Sequence, residues 1–338
     1  MEASTAVNHE DLVVIDGLVF FSDGDASPLK AGNVAAANVT VIEPLADLEA
    51  AVDGIASWHR KLSLPDSPWR LVRTAQDILD ARAAGKVGLI MGWQNSDPIG
   101  NRIDRVRLFH ALGLRVVQLT YNHANLVGDG CLETRNGGLT RFGAELVHEM
   151  NEVGMAVDLS HCSNGTCIDA ARTSQKPVIL THANATGVAR RARNKSDESL
   201  RAVADSGGVV GVSVHGFMNW SGDPSTPPSL SGFVEHIRYV ANLVGYEHVG
   251  MGNDFASVSD PKTTEAILEM SASKFPGATG DFVAAFGNAL EGRYPAEVPS
   301  PQYLSRITDA LSEAGLSGAQ IEGVMGQNFL RTFKDIWN

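Results

Sequence analysis

The chain has 338 residues, enough for one barrel-sized domain or two smaller ones, with 43% apolar and 20% charged residues. Its net charge of −12, which no basic block offsets, argues against nucleic acid as a partner. The three cysteines lack a framework spacing, and the N-terminus lacks the pattern of a signal peptide. No apolar run approaches the roughly 18 residues that span a bilayer. We therefore expect a soluble, cytoplasmic protein with no membrane partner.

Eight short apolar segments alternate with amphipathic helical segments along the chain. Each is a near-continuous apolar run that ends in polar residues, as parallel strands do when both of their faces are buried. The predicted strands are residues 12–20, 36–42, 87–95, 115–122, 154–162, 177–185, 208–216 and 248–256. This alternation favours an α/β fold, a (β/α)8 TIM barrel, over a doubly wound open sheet, which is the main alternative.

Two of the predicted helices carry clear end signals, and the tail of the chain is also helical. Residues 140–154 are amphipathic and finish at Gly154, which is typical of a helix C′ position. Ser196 is the predicted N-cap of the next such helix, whose first turn is acidic. We expect one barrel domain over 1–338, with a helical C-terminal segment, about 260–338, packed on it.

Polar residues stand where the predicted strands end, which is where a barrel places its functional groups. His161 in "DLSH" and His182 in "LTH" follow consecutive strands, so both should point into one cavity. Two such imidazoles can hold zinc, or they can be core histidines bonded to backbone or carboxylate. Asp254, after the last strand, is a candidate general base for an activated water, or a cap of the next helix.

Two other segments near the strand ends carry reactive side chains. "RARNKSD" places Arg190, Arg191 and Arg193 after the sixth strand, where an arginine fork suits a substrate carboxylate. The alternative is a solvated basic turn. Cys131 lies in a glycine-rich loop after the fourth strand, either as a thiolate ligand or nucleophile, or as a small residue in a tight loop.

The segment "GLTRFGAELVHEMNEVGMAVDLSHCS" resembles the core signature of the membrane (renal) dipeptidase family of metallopeptidases. "PVILTHANA", "RNKSDESL", "GGVVGVSV", "HVGMGNDF" and "GQNFLRTF" follow it in the family's order. The resemblance implies an amidohydrolase-like TIM barrel, a two-zinc site, hydrolysis of dipeptides and some β-lactams, and a homodimer. By position, His161 and His182 match the two histidine ligands of one zinc. Arg193 matches the arginine that contacts the substrate carboxylate, and Asp254 matches the proton-transferring acid.

The chain departs from this family where the other zinc would bind. The family's first strand ends in Asp-Gly-His-Asn-Asp, whereas this chain has Leu18 and Phe20 at the two ligand positions. The glutamate that bridges the two metals in the family corresponds to Gln94. A substrate-binding histidine of the family corresponds to Tyr121, which precedes Asn122. The resemblance therefore implies a divergent subgroup with a rebuilt pocket.

These observations predict a metal-dependent hydrolase that holds one zinc ion (Zn²⁺), rather than two, on His161 and His182. Its substrate would be a small amide, either a dipeptide or an N-acyl or lactam-like compound, whose carboxylate binds Arg193. The candidate third ligand is the carbonyl oxygen of Gln94, with Asp254, Cys131, His123 or His215 as alternatives. The predicted substrate-binding residues also include Tyr121, Asn122, Leu18 and Phe20. The alternative function is a metal-free or weakly metal-binding enzyme of lyase or isomerase type, or a small-molecule binding protein.

Overall fold

The structure, a computed structural model, describes residues 7–258, 260, 262, 265–266, 269, 273–287 and 290–337. Within these residues ten strands form one sheet, and every strand pair in it is parallel. The strands are β1 (Val14–Ser22), β2 (Val34–Thr40), β3 (Trp69–Leu71), β4 (Val87–Trp93), β5 (Leu114–Gln118), β6 (Ala156–Asp158), β7 (Ile179–Leu180), β8 (Val209–Val212), β9 (Val249–Met251) and β10 (Phe255–Ser257).

The sheet closes into a barrel because its two end strands, β9 and β10, follow each other directly in the chain. The order of paired strands is β10-β1-β2-β4-β5-β6-β7-β8-β9, and only residues 252–254 separate β9 from β10. Each of the eight predicted strands overlaps an observed one, so the predicted barrel is confirmed and the open sheet is excluded. The predicted eighth strand is broken, because Asp254 has a left-handed backbone (φ 59°) that cannot continue a strand. Sequence patterning missed β3, a three-residue strand beside β4.

Helices surround the barrel and follow most of its strands. They are α1 (Ser27–Ala31), α2 (Leu48–Leu62), α3 (Ala75–Ala83), α4 (Arg105–Leu112), α5 (Arg141–Val153), α6 (Asn164–Thr173), α7 (Asp197–Asp205), α8 (Gly216–Asn219), α9 (Leu230–Val244), α10 (Pro276–Phe286), α11 (Leu290–Arg293), α12 (Ser305–Glu313), α13 (Gly318–Glu322) and α14 (Asn328–Trp337). Along the part of the chain that the structure describes, no helix has the length and apolar character to cross a membrane.

Helix ends lie where the local sequence predicts them. Gly154 follows α5 with φ 72°, the left-handed conformation that glycine adopts without a steric penalty. The hydroxyl of Ser196 accepts a hydrogen bond from the backbone N–H of Ser199 at 3.3 Å, and so caps α7. These caps satisfy backbone groups that a helix leaves unpaired at its ends, so each helix begins and ends independently of distant contacts.

The amino-terminal end of the barrel is closed by α14. Phe329 and Phe333 are fully buried and pack in one apolar cluster with Ile15 and other strand residues. The approach is close, because a Cβ added at Gly250 would lie 2.7 Å from the Phe329 ring. With this end filled by packed side chains, the carboxyl ends of the strands are left to form a cavity.

Candidate active site

A cavity of about 520 Å³ lies at the carboxyl ends of the barrel strands. Residues that follow strands far apart in sequence share its wall, which is the usual place for the chemistry of this fold. The predicted site residues among them are Phe20, Gln94, Tyr121, Asn122, His161, Arg193 and Asp254. Leu18 is buried and does not line the cavity. The residues of β1 that reach the cavity include Phe20 and Phe21.

The structure brings the two predicted histidines into direct contact. His161 follows β6 and His182 follows β7, and their Nε2 atoms are 3.0 Å apart. Both side chains are buried, with exposed fractions of 6% and 0%. The convergence results from parallel strand pairing, because Asp158 of β6 is aligned with Ile179 of β7. The two turns that carry the histidines are therefore neighbours.

Hydrogen bonds to the other ring nitrogens determine the tautomer of each histidine. His161 Nδ1 is 2.7 Å from Asn122 Oδ1, an amide oxygen that can only accept, so Nδ1 carries the proton. His182 Nδ1 is 2.9 Å from the hydroxyl oxygen of Thr181. That hydroxyl donates its proton to Asp158 Oδ2 at 2.7 Å, so it accepts from His182. Both Nε2 atoms therefore carry lone pairs that point at each other.

Two lone pairs at this separation are suited to a cation between them. Burial first, and the Arg193 charge second, hold the pKa of both His161 and His182 well below the usual range, which disfavours a shared proton. Two nitrogens bound to one tetrahedral zinc at ordinary bond lengths lie roughly 3.3 Å apart. The hydrogen bonds to Nδ1 are also those that metal-ligating histidines make. This donor pair fits one metal ion.

The histidine pair is not part of a larger group of metal-binding side chains. Within the described ranges, no group of three or more His, Cys, Asp or Glu side chains is placed to bind one metal. The amide of Gln94 donates from Nε2 to Thr40 Oγ1 at 2.9 Å, and its described contacts include no hydrogen bond to either histidine. A third ligand to the histidine pair would thus be a neutral oxygen or a water. His123 is exposed and lies 3.7 Å from Glu133, away from the pair.

Arg193 is the buried cation beside the histidine pair, with 1% of its surface exposed. Its Nη1 donates to the Ser160 carbonyl, and its Nη2 lies 3.5 Å from the His182 carbonyl. Its Nε–H has no hydrogen-bond partner among the described residues. A buried guanidinium held only by carbonyls, with one N–H unused, is suited to an incoming anion. Arg191 instead pairs with Asp281, and Arg190 is exposed.

Asp254 places a carboxyl group in the cavity wall. Its backbone N–H donates to the Leu18 carbonyl at 3.0 Å, and its carbonyl accepts from the Tyr294 hydroxyl at 2.6 Å. These bonds hold the left-handed conformation that turns its side chain toward the cavity. Burial raises the pKa of Asp254 to about 6, against the opposing charges of Arg193 and Arg293. A carboxyl with this pKa is an efficient general base near neutral pH.

Tyr121 and Asn122 support His161 from the end of β5. The ring of Tyr121 stacks on that of His161, with centroids 4.1 Å apart and planes 25° apart. Asn122 has a left-handed backbone (φ 62°), and besides His161 its Oδ1 accepts a weak bond from the Cys131 thiol at 3.3 Å. Cys131 lines a smaller, separate pocket rather than this cavity. Its loop position supports the interpretation of a small residue in a tight turn.

Sequence reasoning did not single out Arg293 and Phe275 as site residues. Arg293, at the end of α11, is 6% exposed, and its Nη1 lies 3.5 Å from His215 Nε2. Phe275 packs against Tyr121, with centroids 5.2 Å apart. Both residues lie after the last strand of the chain. There, no strand pairing indicates which sequence positions reach the carboxyl end of the barrel. Their sequence surroundings therefore carried no signal.

A closed TIM barrel with a buried histidine pair at its carboxyl end places potential metal ligands where enzymes of this fold carry their active sites. Residues 23–271 match the model of the membrane dipeptidase family (peptidase family M19), and the chain belongs to that family. This match confirms the family resemblance seen in the sequence.

Individual relatives agree with this assignment. The chain is 33% identical to dipeptidase verJ of Clonostachys rogersoniana over 68% of its own length and 58% of the relative. An amidohydrolase of Pseudomonas aeruginosa has 32% identity and a TM-score of 0.83, with 97% of this chain and 98% of that chain covered. A metallopeptidase of Rhodobacter sphaeroides, solved with a phosphinate mimic of L-Ala-D-Ala, shares the fold (TM-score 0.76, 20% identity, coverage 97% and 100%). The chain spans 52–58% of the length of the curated relatives it matches.

Proposed function

We propose that the protein is a hydrolase that binds one zinc ion on His161 and His182 and cleaves a small amide bearing a carboxylate. The observation that carries this proposal is the pair of Nε2 lone pairs, 3.0 Å apart, with both tautomers set by Asn122 and Thr181. A zinc ion supplies a water of lowered pKa and polarises a carbonyl. The dipeptidase and amidohydrolase relatives support an amide as the bond that is cleaved.

The chain's own residues have separable tasks in this reaction. Arg193 offers its unpaired Nε–H to the substrate carboxylate, which orients the amide at the histidine pair. Asp254, ionised above its pKa of about 6, accepts a proton from the attacking water and can return it to the leaving nitrogen. Tyr121 covers one face of His161 and keeps bulk water from it.

Metal analysis after equilibrium dialysis against zinc tests the stoichiometry. We expect about one ion per chain in the natural protein and a large loss in His161→Ala and His182→Ala. His123→Ala is the matched control, because His123 is exposed and outside the pair, and it should keep the ion. Two ions per chain, or far less than one, would overturn the one-ion proposal.

Activity on a panel of dipeptides, N-acyl amino acids and lactams tests the reaction. Hydrolysis should stop when a chelator removes the metal and return when zinc is added. Turnover that survives chelation would favour a metal-free enzyme on the same barrel.

We further propose that the protein works in a reducing compartment such as the cytoplasm. Its three cysteines are free thiols, and Cys162 and Cys167 are buried. The homodimer that the family resemblance implies stays a prediction.

A further inference from the structure

The cavity has two halves, supplied by opposite sides of the barrel. Going round the ring, β1 is four strand positions from β6, and β2 is four positions from β7. The ring has eight positions, because β3 lies outside it and β9 and β10 together occupy one position, and positions four apart face each other. His161 and Arg193, which line the cavity, follow β6 and β7, so residues that follow β1 and β2 form the half that faces them.

The half formed by β1 and β2 is apolar; we refer to Phe20, Phe21, Val41, Ile42 and Trp58 as the acyl wall. Phe20 and Phe21 come from β1, Val41 and Ile42 follow β2, and Trp58 belongs to α2. Beside it, the uncharged side chains of Thr40 and Gln94 are bonded to each other at 2.9 Å, and the Lys61 ammonium lies over the Trp58 ring, 4.4 Å from its centroid. This wall can bury an apolar group and has neutral side chains to meet a polar one.

Charges around the cavity are predominantly positive. Among the described lining residues the carboxylates are Asp254 and Glu43, and Glu43 Oε2 lies 3.9 Å from Lys274 Nζ. Lys274 balances Glu43, while Asp254 faces two buried guanidinium groups, those of Arg193 and Arg293. A substrate ammonium group placed at the acyl wall would meet no uncompensated carboxylate and would be desolvated at a cost.

We propose that the acyl wall takes an uncharged, apolar acyl group, so that the substrate is an N-acyl amino acid rather than a dipeptide with a free α-ammonium. The inference rests on the proposed function, because it places the scissile amide at the histidine pair and the carboxylate on Arg193. From there, the part of the substrate on the carbonyl side of the amide extends toward Phe20 and Phe21. Apolar burial against these rings favours binding, and an ammonium is disfavoured because both lining carboxylates already face cations.

A matched pair of compounds isolates the ammonium. Hexanoyl-alanine and norleucyl-alanine differ only in the α-ammonium of the acyl part, and both are prepared with L- and with D-alanine. With the zinc-loaded protein we expect kcat/KM for hexanoyl-alanine to exceed that for norleucyl-alanine by at least 30-fold. Equal values, or a preference for norleucyl-alanine, would overturn the proposal.

A substitution in the acyl wall should weaken the preference. Phe21→Asp puts a carboxylate beside the acyl group without changing Gln94 or the histidines, so the ratio between the two compounds should fall at least 10-fold. Phe21→Leu is the control and should keep the ratio. An unchanged ratio in Phe21→Asp, with zinc still bound, would count against the acyl wall as the determinant.

Calorimetric binding separates this inference from the proposed hydrolysis. If neither compound is cleaved by zinc-loaded protein, hydrolysis of such amides is refuted, yet binding still decides the acyl specificity. Tighter binding of hexanoyl-alanine than of norleucyl-alanine, lost in Phe21→Asp, supports the inference in that case. Equal or reversed affinities, or no binding of either compound, overturn it.

Discussion

At the scale of single residues, Asn122 sets the chemistry of His161 by fixing its proton on Nδ1. Asn122→Ala removes this acceptor, and we expect zinc affinity to fall about 10- to 100-fold, as for other outer-shell partners of metal ligands. Asn122→Asp should retain most of the affinity, because a carboxylate also accepts from Nδ1–H and Asp tolerates a left-handed backbone. Competition with a chelating dye measures both. Equal affinities for the alanine variant and the natural protein would contradict this role.

Asp254 should impose a pH dependence on catalysis. A general base must be ionised, so kcat/KM should rise with pH through an apparent pKa of about 6, the value to which burial raises Asp254. Asp16 is buried with a pKa of about 6 as well, and its coupling to Asp254 makes the observed value a property of both groups. Asp254→Asn should lower kcat/KM about 10²- to 10⁴-fold and abolish this dependence. If kcat/KM of Asp254→Asn still rises with pH near 6, the group that titrates is not Asp254.

At the scale of single elements, two glycines that follow helices allow the cost of a left-handed backbone to be separated from the cost of steric crowding. Gly154 after α5 and Gly85 after α3 both have left-handed backbones, with φ +72° and +65°. A Cβ at Gly154 would lie 3.0 Å from the Ile336 carbonyl oxygen, whereas a Cβ at Gly85 would meet no described atom within 4 Å. Gly85→Ala should cost about 1–2 kcal/mol of unfolding free energy, and Gly154→Ala should cost more. Urea unfolding measures both, and equal losses would show that the helix end moves aside.

At the scale of the whole molecule, the closure of the barrel's amino-terminal end depends on α14. Phe329→Ala should lower the unfolding free energy by about 3–5 kcal/mol, because it opens a hole between α14 and the strands around Gly250. The control Leu330→Ala, on the same helix but only partly buried, should cost less. Because α14 is at the end opposite the cavity, kcat of the folded variant should stay near that of the natural protein. A large fall in kcat without loss of stability would contradict this separation.

Features with a local cause were readable from the sequence alone. The strands of the barrel follow from apolar runs that only burial on both faces explains, and the ends at Gly154 and Ser196 follow from the chemistry of helix termini. The meeting of His161 and His182 was also predictable, because parallel strands place their carboxyl ends side by side.

Only the tertiary structure decided which atoms face the cavity and in what state. Asn122 and Thr181 set the two histidine tautomers through contacts that no sequence spacing encodes. Arg293 reaches the site from the chain after the barrel, and the left-handed Asp254 breaks the predicted eighth strand. Sequence periodicity reports burial along one element at a time. Tautomers, pKa values and the facing of two cavity halves depend on side chains from elements distant in sequence, which packing alone brings together.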